Sequence, residues 1–451
     1  MKYSNSAYTI RKHEQKWMSA RVLFYPTFAY SIHITFRKDY LMATLKPFKC
    51  IRPDNKYVSK IAALPYDVYN RQEAYEIVKN NPLSFLSIDR GETNFENNID
   101  IYSDTVYKKC ATLLEERIRN AIYIEEKTEC LYLYELIMNG HSQTGVVGCA
   151  SVDDYINGVI KKHENTRTEK EFDRTKHIEA CNTHTGPIFL AYRTNHELRK
   201  IINEQKESEP IYDFTSDDGI RHIVYRIENS EVIKHIQDIM ATITHVYIAD
   251  GHHRAAAAIN VASKRRTQSA SYTGKEEYNY FLSVFFAEEE LRILDYNRVV
   301  KNLNGLTEED FLDKVSHSYF ISELPSAIHP SEKGSFTMYL NDRWYLCKIR
   351  PEFIPHSPVA ALDVSLLQDY ILDPILGIHN PKEDKRIDFV GGIRGLEELE
   401  KRCDNDCKLA FAMYPTSIHE LFEVADAGLL MPPKSTWFEP KLRSGIFVHR
   451  I

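Results

Sequence analysis

The stretch Val246-Tyr-Ile-Ala-Asp-Gly-His-His-Arg-Ala-Ala-Ala-Ala-Ile-Asn260 constrains this chain more than any other. His245 to Ala249 reads as a buried strand. Ala255 to Ala258 combine the highest helix propensity with side chains too small to hold a neighbouring layer away. Strand and helix meet at Asp250-Gly251-His252-His253-Arg254, so the polar turn is aimed by both. Gly251 permits a tight turn, the first N–H groups of the helix point outward, and Arg254 adds a positive fork. That combination suits an anion. The alternative is a strand-to-helix corner with Asp250 as N-cap and the histidines facing water.

The chain has 451 residues, enough for two or three domains. Its formal net charge is −7, from 57 Lys and Arg against 64 Asp and Glu, which argues against a general electrostatic hold on nucleic acid. No apolar run approaches the roughly 20 residues of a membrane span, so a soluble protein is expected. The eight cysteines lack the spacing of a disulfide framework or of paired zinc knuckles, which points to reduced thiols and a cytoplasmic location. Cys403 and Cys407 lack partners for a four-ligand site, and no metal ligands are assigned. Residues 1–41 do not read as a signal peptide; Met42 is expected to be the natural start, with 1–41 a misassigned or disordered leader.

The remaining pattern is α+β, or mixed α/β, without internal repeats. Helices are expected at Arg71 to Lys79, Tyr102 to Arg117, Glu231 to Met240, Val364 to Leu372 and Ser417 to Ala427. Strands are expected at Leu45 to Ile51, Ser84 to Ile88, Gly186 to Tyr192, Phe281 to Phe286, Asp388 to Gly392 and Leu409 to Met413. Asn139-Gly140 signals a hairpin between Leu131–Leu136 and Thr144–Ser151, and Ile211 to Arg226 reads as another around Asp217-Asp218-Gly219.

Two further stretches carry chemistry. If Asp153 to Arg174 is one helix, His163, Arg167, Lys170 and Arg174 share a cationic face suited to phosphate or carboxylate; the alternative is a solvated charged helix. The tail Met431-Pro-Pro-Lys434-Ser435-Thr436-Trp437 through Lys441 gathers cations and hydroxyls, although the glycines of a P-loop are missing.

Six motifs in order resemble the bacterial and archaeal family of domain of unknown function 1015. They are Lys46-Pro-Phe with Arg52-Pro53, Pro65-Tyr66-Asp67-Val68, Asn81-Pro-x-Ser84-Phe, Lys162-His163-Glu164-x-Thr-Arg167 with Lys170 and Asp173-Arg174, Ala249-Asp-Gly-His-His-Arg254, and Met431-Pro-Pro-Lys-Ser-Thr436. The loop at Asp250 is in turn similar to the phosphate-binding loop of the ParB and sulfiredoxin superfamily, in which free serine kinases use a loop acid to take the substrate's proton. Sulfiredoxins need a cysteine before the His-Arg pair, and His252 stands there, which argues against sulfinic acid reduction. The resemblance implies a ParB/sulfiredoxin-like core from 42–90 and 246–295, an inserted α+β region at 91–245, and a C-terminal α+β region at 296–451 whose tail reaches the site.

On that basis the leading expectation is a nucleotide-dependent kinase acting on a small hydroxyl metabolite, free serine first, with ATP or ADP and Mg²⁺. Asp250, His253 and Glu164 are the candidate catalytic residues. Gly251, His252, Arg254, His163, Arg167, Lys170, Arg174, Lys434, Ser435 and Thr436 are the candidate phosphate or nucleotide contacts, and Tyr66 and Asp67 the candidate substrate contacts. A phosphatase using His253 as nucleophile or acid, and a ParB-like nucleotide-binding regulator, are the alternatives.

Overall fold

The computed structural model describes residues 42–96 and 98–451. The expected leader lies outside the described residues, apart from its boundary at Met42. The fold is α+β, with 13 α-helices and several sheets among the described residues. Its centre is an eight-stranded sheet in the order Ile160–Lys161, Val246–Asp250, Ile188–Tyr192, Tyr280–Ala287, His141–Ser151, Leu131–Met138, Arg221–Ile227, Tyr212–Thr215. Strands from 131–227 and from 246–287 thus hydrogen-bond within one sheet, and the expected division at 245/246 runs through it.

A six-stranded sheet follows in the C-terminal part, in the order Tyr319–Leu324, Arg343–Ile349, Ser335–Leu340, Leu409–Met413, Tyr296–Val300, Ile387–Gly391. A smaller sheet pairs Cys50–Pro53 with both Tyr123–Glu125 and Val448–Arg450, so the last strand lies beside the first. The hairpin at Asn139-Gly140 forms with both residues at positive φ, 51° and 76°, as a tight two-residue turn requires.

Ala255, Ala258 and Ala262 of the helix His252–Gln268 are buried against the central sheet's core, while Ala257 and Val261 meet Ile178 of the helix Thr168–Cys181. Small side chains on both sides let the helix sit closely between two layers. Its position, and that of the turn before it, is fixed by packing.

Two expectations are corrected. Ser84 to Ile88 is not a strand: Leu86–Asp89 is a short helix, and the Ser84 carbonyl accepts the Ser87 hydroxyl at 2.7 Å. Residues 84–89 are all buried, so the apparent alternation marks no exposed face. Nor is 153–174 one helix. Val152–Ile156 ends at Asn157 and Gly158, whose φ is +78°, and Ile160 pairs with Val246 at the sheet edge. The second helix begins only at Thr168, leaving His163 off any helix and Arg167 at its N-cap. No shared helical face of four cations exists.

All eight cysteines carry free thiols. Among the described residues no helix is long and apolar enough to cross a membrane.

Candidate functional site

The strand Val246–Asp250 has neighbours on both sides, and its register against Ile188–Tyr192 shifts between Ile248 and Asp250. That irregularity re-aims the strand's last residue. Gly251 then adopts φ +96°, which a side chain would strain, and a Cβ there would lie 3.0 Å from Arg254 Nη2. The helix that follows has Gly251 as its N-cap, without a side-chain cap and without an acid in its first turn. Asp250 does not cap it. One carboxylate oxygen accepts from Arg254 Nη2 at 3.0 Å, and the other lies 3.7 Å from Lys441 Nζ. The first-turn amides have no acceptor within the helix, and together with the helix dipole they favour an anion.

Arg254 is largely committed: Nη1 donates to the Pro187 carbonyl at 2.6 Å while Nη2 holds Asp250. It fastens the turn to the neighbouring strand. Burial works to raise the Asp250 pKa, but Lys441, Arg254 and Lys434 outweigh it and keep the group below its ordinary value. Asp250 is therefore a fixed carboxylate at neutral pH.

The histidines divide. His163 and His252 are buried and stack edge to face, ring centroids 4.5 Å apart. Burial pushes the His163 pKa down to about 4 and lowers that of His252 as well, the latter also disfavoured by the cationic form of His163. His252 thus offers an anion its main-chain N–H and no ring charge. His253 faces the site, and its Nε2 accepts the Arg167 main-chain N–H at 3.1 Å. Burial lowers its pKa too, leaving a neutral ring with the proton on Nδ1.

Two adjoining cavities open here. The first, about 400 Å³, runs from Asp250–Arg254 to the tail residues Lys434–Phe438 and Lys441 and to Asp388–Gly391. The second, about 790 Å³, lies between Tyr66–Asp67, Arg90, Tyr102, Arg167, Glu169, Lys170 and Lys382. Tyr66, Asp67, Glu164, His253, Phe389 and Lys434 line both and form the junction. Burial raises the Glu164 pKa, against the pull of Lys434 and Lys382, and Asp250 and Asp67 push it up further. This carboxyl can hold or release a proton nearer neutrality than an ordinary glutamate.

The structure brings most of the sequence candidates together. Gly251, His252, Arg254, Ser435 and Thr436 line the first cavity with Asp250; Arg167, Lys170 and Arg174 line the second. Arg174 is spent internally, bonded to Asp173 at 2.8 Å and to the Asp89 carbonyl at 3.2 Å, with its guanidinium over the Tyr66 ring. His163 lines neither cavity; its carbonyl instead accepts the Met431 N–H at 2.8 Å and ties the tail to this region. The Ser435 hydroxyl donates to the Pro432 carbonyl, and Lys434 sits at φ +60°, a left-handed conformation uncommon for a side-chain-bearing residue. Arg298 holds the Lys434 carbonyl at 3.0 Å.

Sequence reasoning missed Tyr296, Asp388, Phe389, Arg394, Arg402 and Lys382, all cavity residues from the C-terminal part. The stretch Asp388 to Gly392 reads as a strand, but nothing local ties it to the turn at Asp250.

Several solved structures are similar to this one at low identity. A C-terminally truncated SbnI from Staphylococcus aureus is 11% identical with a TM-score of 0.37, covering 67% of this chain and 87% of that one. A conserved hypothetical protein from Pyrococcus furiosus is 15% identical, TM-score 0.32, covering 68% and 95%. A free serine kinase in complex with AMP is 11% identical, TM-score 0.33, covering 66% and 91%. No curated protein matches the chain. A family model described as a protein of unknown function, DUF1015, matches residues 45–365, and the chain belongs to that family.

Proposed function

We propose that this protein is a nucleotide-dependent phosphotransferase acting on a small hydroxyl-bearing metabolite, with free serine the first candidate through the resemblance of its loop. The observation that carries the reading is the junction: an uncapped helix N-terminus with Lys434 and Lys441 on one side, a separate chamber on the other, and Glu164 in the wall between. Phosphoryl transfer asks mainly for positioning and charge neutralisation, and this arrangement offers both.

The nucleotide phosphates lie against the His252–Arg254 amides, with Lys434 and Lys441 neutralising charge. The acceptor hydroxyl approaches from the second cavity, where Tyr66 and Asp67 orient it and Glu164 accepts its proton. The hydroxyl oxygen bonds to the terminal phosphorus as the bond to the nucleoside diphosphate breaks. Asp250, kept anionic by its cations, suits a positioning or metal-binding role better than proton transfer.

Among the described residues no three His, Cys, Asp or Glu side chains cluster as a ready-made metal site. Mg²⁺ carried by nucleotide phosphates needs few protein ligands, and Asp250, at the end of the strand beside the helix N-terminus, would supply one carboxylate. When bound, the ion would neutralise phosphate charge.

A phosphatase with His253 as nucleophile is less well supported. Its Nε2 lone pair is taken by the Arg167 N–H, and its other ring nitrogen carries the proton. A coupled nucleotide-turnover screen across amino acids and small alcohols tests the proposal, alongside calorimetric titration with ATP, ADP, CTP and phosphoserine. Folded protein that neither binds nor turns over any nucleotide would sink it.

A further inference from the structure

Among the described residues the strand Ile387–Gly391 is an edge of the six-stranded sheet, paired with Tyr296–Val300 alone. The bonds Lys301 N–H to Arg386 C=O and Gly392 N–H to Asp295 C=O flank that pairing at 2.8 Å each. Antiparallel strands alternate bonded and non-bonded pairs, so Asp388 and Val390 direct their main chain into the sheet while Ile387, Phe389 and Gly391 direct theirs outward. Four consecutive residues, Asp388 to Gly391, line the first cavity. A strand presenting one face would contribute alternate residues, so the edge itself faces this space. The Phe389 N–H is satisfied by the Asp388 side chain at 2.8 Å. Among the described residues the pair left to a ligand is the Phe389 carbonyl and the Gly391 N–H, an acceptor and a donor side by side.

An aromatic group stands beside this edge. A Cβ at Gly391 would lie 2.9 Å from the Trp437 ring, and Tyr296 meets both Trp437 and Phe389 edge to face, at 4.9 and 5.9 Å between centroids. Lys441 links the aromatic group to the helix end: its Nζ is 5.0 Å from the Trp437 ring centroid and 3.7 Å from Asp250. Building on the phosphotransferase reading, we propose that Trp437, Phe389 and the free edge at 389–391 form a nucleobase subsite for an amino-bearing base. Adenine and cytosine both present an exocyclic N–H donor beside a ring-nitrogen acceptor, the complement of the Phe389 carbonyl and Gly391 N–H. Hypoxanthine, guanine and uracil present an oxygen acceptor beside an N–H donor and meet the edge with like groups opposed. The larger ring of adenine gains more from stacking, so ATP is the better ligand of the two. Most of this subsite lies beyond residue 365, outside the segment that matches the family model.

The test is calorimetric titration of the full chain with ATP, CTP, ITP, UTP and inorganic triphosphate, repeated for Trp437→Ala and Phe389→Leu after each variant is shown to melt cooperatively. ATP should bind about a hundredfold more tightly than ITP, with CTP ahead of UTP. Trp437→Ala should weaken ATP about tenfold and leave inorganic triphosphate unchanged. Equal binding of ATP and ITP by the unaltered protein overturns the base subsite while leaving the phosphate site standing, and it does so whether or not the variants fold. Failure of both ATP and triphosphate to bind overturns the phosphotransferase reading and this subsite with it.

Discussion

Replacing Glu164 by Gln removes a proton acceptor while keeping the shape of the wall between the two cavities. Loss of a positioned general base costs about 10²- to 10⁴-fold in rate, or roughly 3–5 kcal/mol in the barrier. The nucleotide Kd should stay within about threefold, because Glu164 is not among the groups assigned to phosphate. The pH profile gives a second readout. Burial raises the Glu164 pKa, so the group is protonated and inactive at low pH, and kcat should rise as pH passes upward through that raised value. Lys382 is one of the two cations holding it down, so Lys382→Met should move the acidic limb to higher pH. The shift should be a fraction of a pH unit, since Lys382 is exposed and screened by solvent and salt. Steady-state kinetics from pH 5 to 9 on the three proteins, with nucleotide affinity measured in parallel, checks both claims. A Glu164→Gln enzyme that keeps kcat within threefold, or keeps the acidic limb unchanged, would refute the assignment of the base.

Other perturbations test the frame around the site. Gly251→Ala places a side chain at φ +96° and against Arg254, and should cost roughly 1–2 kcal/mol in urea unfolding; an unchanged midpoint would contradict the argument for glycine there. Asp173→Asn strips a buried Arg174 of its partner and weakens the acceptor for the Tyr107 hydroxyl, at 2.8 Å, so about 3–5 kcal/mol should be lost at pH 7. Burial raises the Asp173 pKa, but Arg174 and Tyr107 outweigh it and hold it below its ordinary value. The wild-type advantage should therefore be present above the unfolded-state pKa and shrink as pH falls through the lower folded-state value; a pH-independent difference would show that the charge is not its source. Ala258→Leu overfills the space between helix and sheet and should destabilise by about 1–3 kcal/mol, measured by thermal melting; a neutral result would mean that the interface is looser than its burial indicates.

What the sequence determined by itself was local. Val246 to Asn260 carries its own instructions: an apolar run for the strand, glycine for the turn, alanines for a helix packed on two sides. The Asn139-Gly140 turn is legible for the same reason, since its bonds close within a few residues. The reading failed where a distant partner decided the outcome. Ile160 became a strand because Val246 offers it an edge, and that pairing broke the helix expected through 153–174. Arg174 and Arg254 read as free cations, yet Asp173, Asp89, Pro187 and Asp250 consume them in the folded chain. Only the tertiary structure placed the tail beside His163 and turned the edge of Ile387–Gly391 toward the helix end at Gly251. Burial, which decides whether a histidine is charged and whether a backbone edge is free, depends on what the rest of the chain packs against it, and no local pattern encodes that.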